Sequence, residues 1–360
     1  MTTPLIHGLS RLELGAACKE LKLPSYRAGQ LWTWLYTQRV TEWSAMNNLP
    51  AALRETLAER FDMTPATLMK VEGAPAGTRK LLVGLRDGEC VEEVLIPARD
   101  RRTVCVSSQV GCRFACVFCA SGQKGCVRSL ETGEIVGQVL LAWREYGERP
   151  SNIVFMGMGE PFDNYDAVLG AVRILNDQEG IAIGARHITI STSGVVPGIE
   201  RLASEGLQVE LSVSLHAPEN ELRSRLMPVN RRYPLADLLV ACRKFFAATK
   251  RIITFEYTLI RGVNDSRLQA TALAQLLKSI PCRVNLIPLS PVEGYDGQAP
   301  SPDTGAMFIE ILGRAGINAT LRVSKGTGID AACGQLRMRN QKSEVSIQKS
   351  EVRSQNPEQD

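Results

Sequence analysis

No run of eighteen apolar residues occurs in this chain of 360 residues, which excludes a membrane-spanning helix. The opening stretch MTTPLIHGLSRLELG lacks a basic start, an apolar middle and a small-residue cleavage site. Secretion is therefore not expected, and a cytoplasmic location is. Nor is there a large excess of either charge: 42 Lys and Arg stand against 38 Asp and Glu, a net of +4. What remains is the make-up of an ordinary globular protein, long enough for a large core and a second domain. Cysteine is the exception. Ten of them in a chain without an export signal argue for metal or redox chemistry over a disulfide scaffold.

The modest net charge is unevenly placed. Arg99, Arg101, Arg102, Arg113, Lys124 and Arg128 bracket one dense group of cysteines, and Arg223, Arg225, Arg231, Arg232, Arg243, Lys244, Lys250 and Arg251 form a second basic run. Either run alone reads as solvated helix faces; two of them, one beside the thiols, suit an anionic partner such as RNA.

Apolar and aromatic residues at helical spacing predict helices over Leu23–Tyr36 and Leu49–Phe61, with Trp32, Trp34 and Trp43 in a core. Two β-rich runs around Arg-Asp-Gly-Glu predict a hairpin over Arg79–Pro97. Strand-like runs (RRTVCVSSQ, NIVFMGMGEP, HITISTSG, VELSVSLHA, ITFEYTLIRGV, RVNLIPLSP, ATLRVS) then alternate with helical patterns over Gly133–Tyr146, Tyr165–Asp177, Pro234–Ala247, Leu268–Ser279 and Asp303–Ala315. Repeated β-then-α with near-continuous apolar strands predicts an α/β fold with a parallel sheet curved into a partial (βα)6 barrel. The expected division is a helical accessory domain over 1–65, a β-hairpin extension over 66–98, the barrel over 99–338 and a disordered tail over 339–360. In such barrels chemistry sits at the C-terminal ends of the strands. Gly159, Glu160, Ser191, Ser214, His216 and Ser290 fall there, and the cysteine group follows an early strand at the same mouth.

Cys112, Cys116 and Cys119 form C-x3-C-x2-C. Three thiolates on one loop suit three irons of a 4Fe–4S cluster and leave the fourth iron open to a non-protein ligand. The competing reading is a four-cysteine zinc site that recruits Cys126, although zinc sites of this kind usually pair two C-x2-C knuckles. With Phe118 before the third cysteine and an α/β barrel following, the motif resembles that of the radical S-adenosylmethionine (SAM) enzymes. There the open iron chelates SAM, and an electron from the cluster yields a 5′-deoxyadenosyl radical.

Longer stretches narrow the resemblance. VEEVLIP, TVCVSSQVGC, FACVFCASGQKG, FMGMGEP, ITISTSGVVPGI, LSVSLHAP, VNLIP and IDAACGQL, in that order, resemble the RlmN/Cfr family of radical SAM RNA methyltransferases, from about Leu23 to Leu336. GTGIDAACGQL and Pro161 lie closer to the C2-methylating branch. The resemblance implies methylation of an adenine in 23S ribosomal RNA and, in many members, transfer RNA. It implies one 4Fe–4S cluster, two SAM molecules per turnover and an electron donor such as flavodoxin. A monomer without membrane attachment is expected.

Carried to this sequence, the family chemistry gives Cys333 the methyl group by polar substitution. The 5′-deoxyadenosyl radical takes a hydrogen from it, and the carbon radical adds to the base. Glu92 matches the proposed proton acceptor, in preference to its neighbour Glu93, which would face the other side of the strand. Cys105, as thiolate, would attack the sulfur of Cys333 and release methylated RNA, leaving a transient disulfide. Gly159, Glu160, Ser191, Ser214, Leu215, His216 and Ser290 match the SAM contacts. The target base must leave its stack to reach the barrel mouth, and Lys22, Arg27 and Arg39 are candidate phosphate contacts. Two departures stand out: Ser290 where the family usually has Asn, and Cys126 where an aromatic is usual. C8 methylation, another RNA adenine, and a zinc-stabilised RNA-binding protein without catalysis remain open as alternatives.

Overall fold

Local capping starts the first helix. Ser10 accepts the Glu13 N–H at 3.3 Å and the Glu13 carboxylate takes the Ser10 N–H at 2.8 Å, a capping box that opens α1 (Arg11–Glu20). Next come α2 (Tyr26–Trp32), continued by a π turn over Thr33–Thr37, and α3 (Ala51–Arg60). Trp32 is buried as expected; Trp34 and Trp43 are only half-buried, and the Trp34 indole donates to Asn48 at 2.6 Å. The computed structural model describes residues 3–322 and 326–337, so the tail expected over 339–360 lies outside the described residues.

The strands follow: β1 (Thr67–Glu72), β2 (Arg79–Gly84), β3 (Cys90–Ala98), β4 (Arg101–Cys105), β5 (Gln109–Gly111) and β6 (Cys126–Ser129). The predicted hairpin is β2–β3, antiparallel with Gly84 opposite Cys90. An unanticipated partner, β1, extends it, and β3 pairs with β4, so this extension is continuous with the barrel sheet.

From β4 onward helices alternate with strands: α4 (Thr132–Tyr146), β7 (Asn152–Phe155), α5 (Tyr165–Asn176), β8 (Ile188–Thr192), α6 (Val196–Leu202), β9 (Glu210–Ser214), α7 (Asn220–Leu226), α8 (Leu235–Thr249), β10 (Ile253–Leu259), α9 (Arg267–Leu277), β11 (Cys282–Pro288), α10 (Pro302–Arg314) and β12 (Asn318–Leu321). β4, β7, β8, β9, β10, β11 and β12 lie side by side in that order, all parallel. Six strand–helix units and a closing strand thus form the partial barrel. All seven residues of β10 are buried, as a strand covered on both faces requires.

The ten-stranded sheet has β1 and β12 as its edges. Residues 326–337 return from the β12 side to the β1 side. Ile329 packs on Gly73, and Lys80 Nζ reaches the Asp330 carbonyl at 3.4 Å. That crossing brings the C-terminal cysteine to the barrel mouth. Among the described residues no helix is long and apolar enough to cross a membrane.

Candidate active site

The cysteine loop hangs from a small clip. β5 and β6 pair antiparallel with Gly111 opposite Cys126, and the Cys112 N–H donates to the Gly125 carbonyl at 2.8 Å. Ala115 takes a left-handed φ of 49°, and a Cβ on Gly122 would come within 3.0 Å of the Ala115 Cα. Only glycine lets the loop fold back this tightly. Cys112, Cys116 and Cys119 are half-buried thiols. Burial pushes all three up, Cys112 to about 12, and Cys116 also feels Cys119 and Cys112. Loading the site therefore means losing protons to metal. A 4Fe–4S cluster takes each of three thiolates on a separate iron, and three thiols on one loop are a donor set that fits that group.

The strand ends facing this loop carry the expected SAM contacts. Gly157 and Gly159 follow β7. A Cβ on Gly157 would sit 2.6 Å from the Val106 carbonyl, and one on Gly159, at φ 101°, would sit 2.7 Å from the Gln109 nitrogen. Glu160 is buried. Its carboxylate accepts the N–H of Ser193 at 2.7 Å and of Phe162 at 3.1 Å, tying the end of β7 to that of β8, while burial pushes its pKa up. Ser191 and Ser214 lie half-buried in β8 and β9, and Leu215 and Ser290 are buried. His216 has a φ of 57°; its Nδ1 accepts from the Thr258 N–H at 2.8 Å and its ring meets Phe118 edge-on. Burial, with Arg223 nearby, lowers His216 to about 3. The ring is neutral, and only its Nε2–H is left for a ligand.

Cys105 ends β4, buried, and Cys333 is solvent-accessible on the returning segment. Burial raises both thiols, and the Cys333 charge raises Cys105 further. Hydrogen bonds hold the segment in place. The Ala120 N–H donates to the Gly334 carbonyl at 2.7 Å, Ser121 Oγ to the Leu336 carbonyl at 2.6 Å, and the Arg337 N–H to Glu92 Oε2 at 3.0 Å. Glu92 Oε1 lies 3.4 Å from Lys80 Nζ. Val94 pairs with Cys105, so alternation puts Glu92 on the same sheet face as Cys105. Glu93 points to the opposite face, toward Glu145 of α4; burial there holds its carboxyl well above the usual range. All ten cysteines are free, so no standing disulfide accompanies the site.

Comparison with known proteins agrees with this geometry. Residues 106–274 match the radical SAM superfamily, and residues 6–63 match the ribosomal RNA large subunit methyltransferase N-terminal domain. A probable dual-specificity RNA methyltransferase RlmN of Bacillus cytotoxicus is 46% identical over 345 residues, covering 95% of each chain. Its namesake in Bacillus cereus strain B4264 is 45% identical over 348 residues, covering 96% of each. The crystal structure of a radical SAM methyltransferase from Sphaerobacter thermophilus superposes with a TM-score of 0.90 at 48% identity, covering 93% of this chain and 99% of that one.

The chain belongs to the RlmN family of radical SAM RNA methyltransferases.

Several residues that shape this RlmN-family site escaped the sequence reading. Ser107, Gln109 and Gln138 are buried, with their polar atoms paired inside the protein. Ser107 Oγ donates to the Glu92 carbonyl at 2.7 Å, Gln138 brackets the Ser107 backbone, and Gln109 Oε1 accepts the Glu160 N–H at 2.9 Å. Buried polar pairs of this kind fix the strand ends. Glu256 on β10 is also buried inside the barrel, with Asn285 donating to it at 3.0 Å. Arg223, read as part of a solvated basic run, is fully buried. The SSQ following Cys105 was the available signal for the first group, since three uncharged polar residues between apolar strands mark groups that must be satisfied internally.

Proposed function

We propose that this protein methylates C2 of an adenine in 23S ribosomal RNA, and also in transfer RNA, through a methyl group carried on Cys333. Dual specificity is what the named relatives suggest. The observation that carries the reading is the anchoring of the Cys333 segment. One set of hydrogen bonds ties it to the cysteine loop and another to Glu92, so the two thiols and the carboxylate share one mouth.

Cys112, Cys116 and Cys119 would hold the cluster, and the glycines after β7 with Glu160, Ser191, Ser214, Leu215, His216 and Ser290 would hold SAM. When bound, that pair supplies one electron and a carbon radical, chemistry the side chains lack. The chain's own residues do the rest, with two SAM consumed per turnover. Cys333 carries the methyl carbon as a thioether and presents it to the extruded base. Glu92 takes the proton lost from the adduct carbon. Once the adduct has returned its unpaired electron to the group the cysteine loop would hold, the Cys105 thiolate attacks the Cys333 sulfur, breaking the carbon–sulfur bond; the released carbon keeps the electron pair and takes a proton to become methyl, and a Cys105–Cys333 disulfide remains. A two-electron thiol reductant restores both thiols, and a flavodoxin-type carrier supplies single electrons to the cluster.

The test begins with anaerobically reconstituted protein beside Cys116→Ala. Visible absorption and bound iron are expected in the first and not in the second. Incubation with 23S RNA fragments and tRNA, nuclease digestion and separation of the methyladenosine isomers then reads the product. 2-Methyladenosine is expected; 8-methyladenosine would overturn the C2 assignment, and colourless protein holding zinc after reconstitution would overturn the radical reading.

A further inference from the structure

Arg223 is fully buried, and among the described residues no carboxylate forms an ion pair with it. Burying a guanidinium is strongly unfavourable unless anions or hydrogen bonds replace its hydration. Hydrogen bonds are present. Nε donates to the Leu215 carbonyl at 3.1 Å, one terminal nitrogen to Asn230 Oδ1 at 2.9 Å, and the other to the Ser193 and Ser214 carbonyls at 2.7 and 2.9 Å. Three of these four acceptors are backbone carbonyls just beyond β8 and at the end of β9, the two strand ends that carry Ser191, Ser214 and Leu215. The fourth belongs to Asn230, itself held by Asn220 and Ser224. Gly194 makes room for the guanidinium: a Cβ there would come within 3.0 Å of it.

Partial carbonyl charges leave a full positive charge to balance. The helix that carries Arg223 packs on the cysteine loop: the Val117 N–H donates to the Leu226 carbonyl at 3.0 Å, and Leu222 and Leu226 share an apolar cluster with Cys116, Phe118 and Cys119. We propose that Arg223 is a positioning residue that locks the β8 and β9 ends into the SAM-binding geometry and is the built-in counter-cation of the cluster held by Cys112, Cys116 and Cys119. This rests on the function proposed above. The two roles use different properties of the side chain. Locking needs the planar fork, since one ammonium cannot span carbonyls on two strand ends and Asn230 together. Balancing the cluster needs only the charge: a cation in a low-dielectric site favours the more negative, reduced cluster and so raises its potential.

The experiment uses the full chain, anaerobically reconstituted, as wild type, Arg223→Lys and Arg223→Gln. Iron content, the cluster's midpoint potential by mediated titration, and SAM affinity are measured in each. Arg223→Lys is expected to keep the wild-type potential while its Kd for SAM rises at least tenfold. Arg223→Gln is expected to show the same loss of affinity with a lower potential. A wild-type potential in Arg223→Gln overturns the counter-cation role, and wild-type SAM affinity in Arg223→Lys overturns the positioning role. Should Arg223→Gln not fold, Arg223→Lys decides alone, because a fallen potential in it also overturns the charge argument. Wild-type protein that takes up no iron would instead overturn the functional reading itself.

Discussion

At the scale of single residues, position on the sheet separates side chains that look alike in sequence. Glu92 and Glu93 are neighbours and both buried, yet one meets Lys80 and the Cys333 segment while the other faces Glu145 of α4. Glu92→Gln is expected to lower methylated product at least a hundredfold, within the usual span for a lost proton acceptor, whereas Glu93→Gln is expected to leave the rate near wild type. Single-turnover assays with radiolabelled methyl groups read both. Cys105→Ala removes the group proposed to attack the thioether, so protein covalently bound to RNA is expected to accumulate as a slow band on denaturing gels. Its absence, with methylated RNA still released, would refute the role given to Cys105. His7 supplies a pH argument. Burial lowers its pKa from 6.5 to about 4, so the unfolded chain binds the extra proton between those values. Stability should fall as pH drops through that window, by on the order of 3 kcal/mol for a fully realised shift. A thermal-midpoint series from pH 7 to 4 is expected to be flatter in His7→Gln than in wild type.

At the scale of elements, legibility followed length and covering. β7 to β11 were readable because central parallel strands are apolar almost throughout, and β10 shows it in full burial. β5, β6 and α7 are too short for a period to repeat, and they passed unseen. Arg223 shows the harder limit. NELRSRL reads as a solvated turn of helix, and what buries its arginine is backbone from residues 193 and 214–215, which no local window contains. The cysteine motif, by contrast, was legible because its chemistry sits on one loop. The turn after β7 yields a prediction of its own kind. Gly159→Ala forces a side chain against the Gln109 backbone at a positive φ. Iron content should stay normal while SAM affinity falls at least tenfold by equilibrium dialysis; unchanged affinity would show that the turn yields.

At the scale of the whole molecule, the active mouth is framed by parts distant in sequence: the loop after β5, the ends of β7 to β9, and the returning segment 326–337. The small net charge conceals exposed Arg113, Lys124, Arg225, Arg231 and Arg232 on the cysteine loop and the α7 region. RNA affinity should therefore fall steeply with salt, the log–log slope growing by about 0.7–0.9 for each phosphate neutralised. Filter binding in Arg231→Glu/Arg232→Glu is expected to give a shallower slope; an unchanged slope would place the RNA elsewhere.

The order of strands carries a further consequence. From β1 to β12 each described strand of the large sheet docks beside the one synthesised before it, so the nascent chain can add its layers in sequence as it leaves the ribosome. The Cys333 segment breaks that rule, since its anchors reach back across 215 residues to Ser121 and 245 to Glu92. The loop proposed to bind the cluster is therefore complete long before the thiol proposed to carry the methyl group is made. On that reading, during translation the protein passes through a stage with a cluster pocket and no acceptor, and methyl transfer cannot begin until the last barrel strand has been laid down.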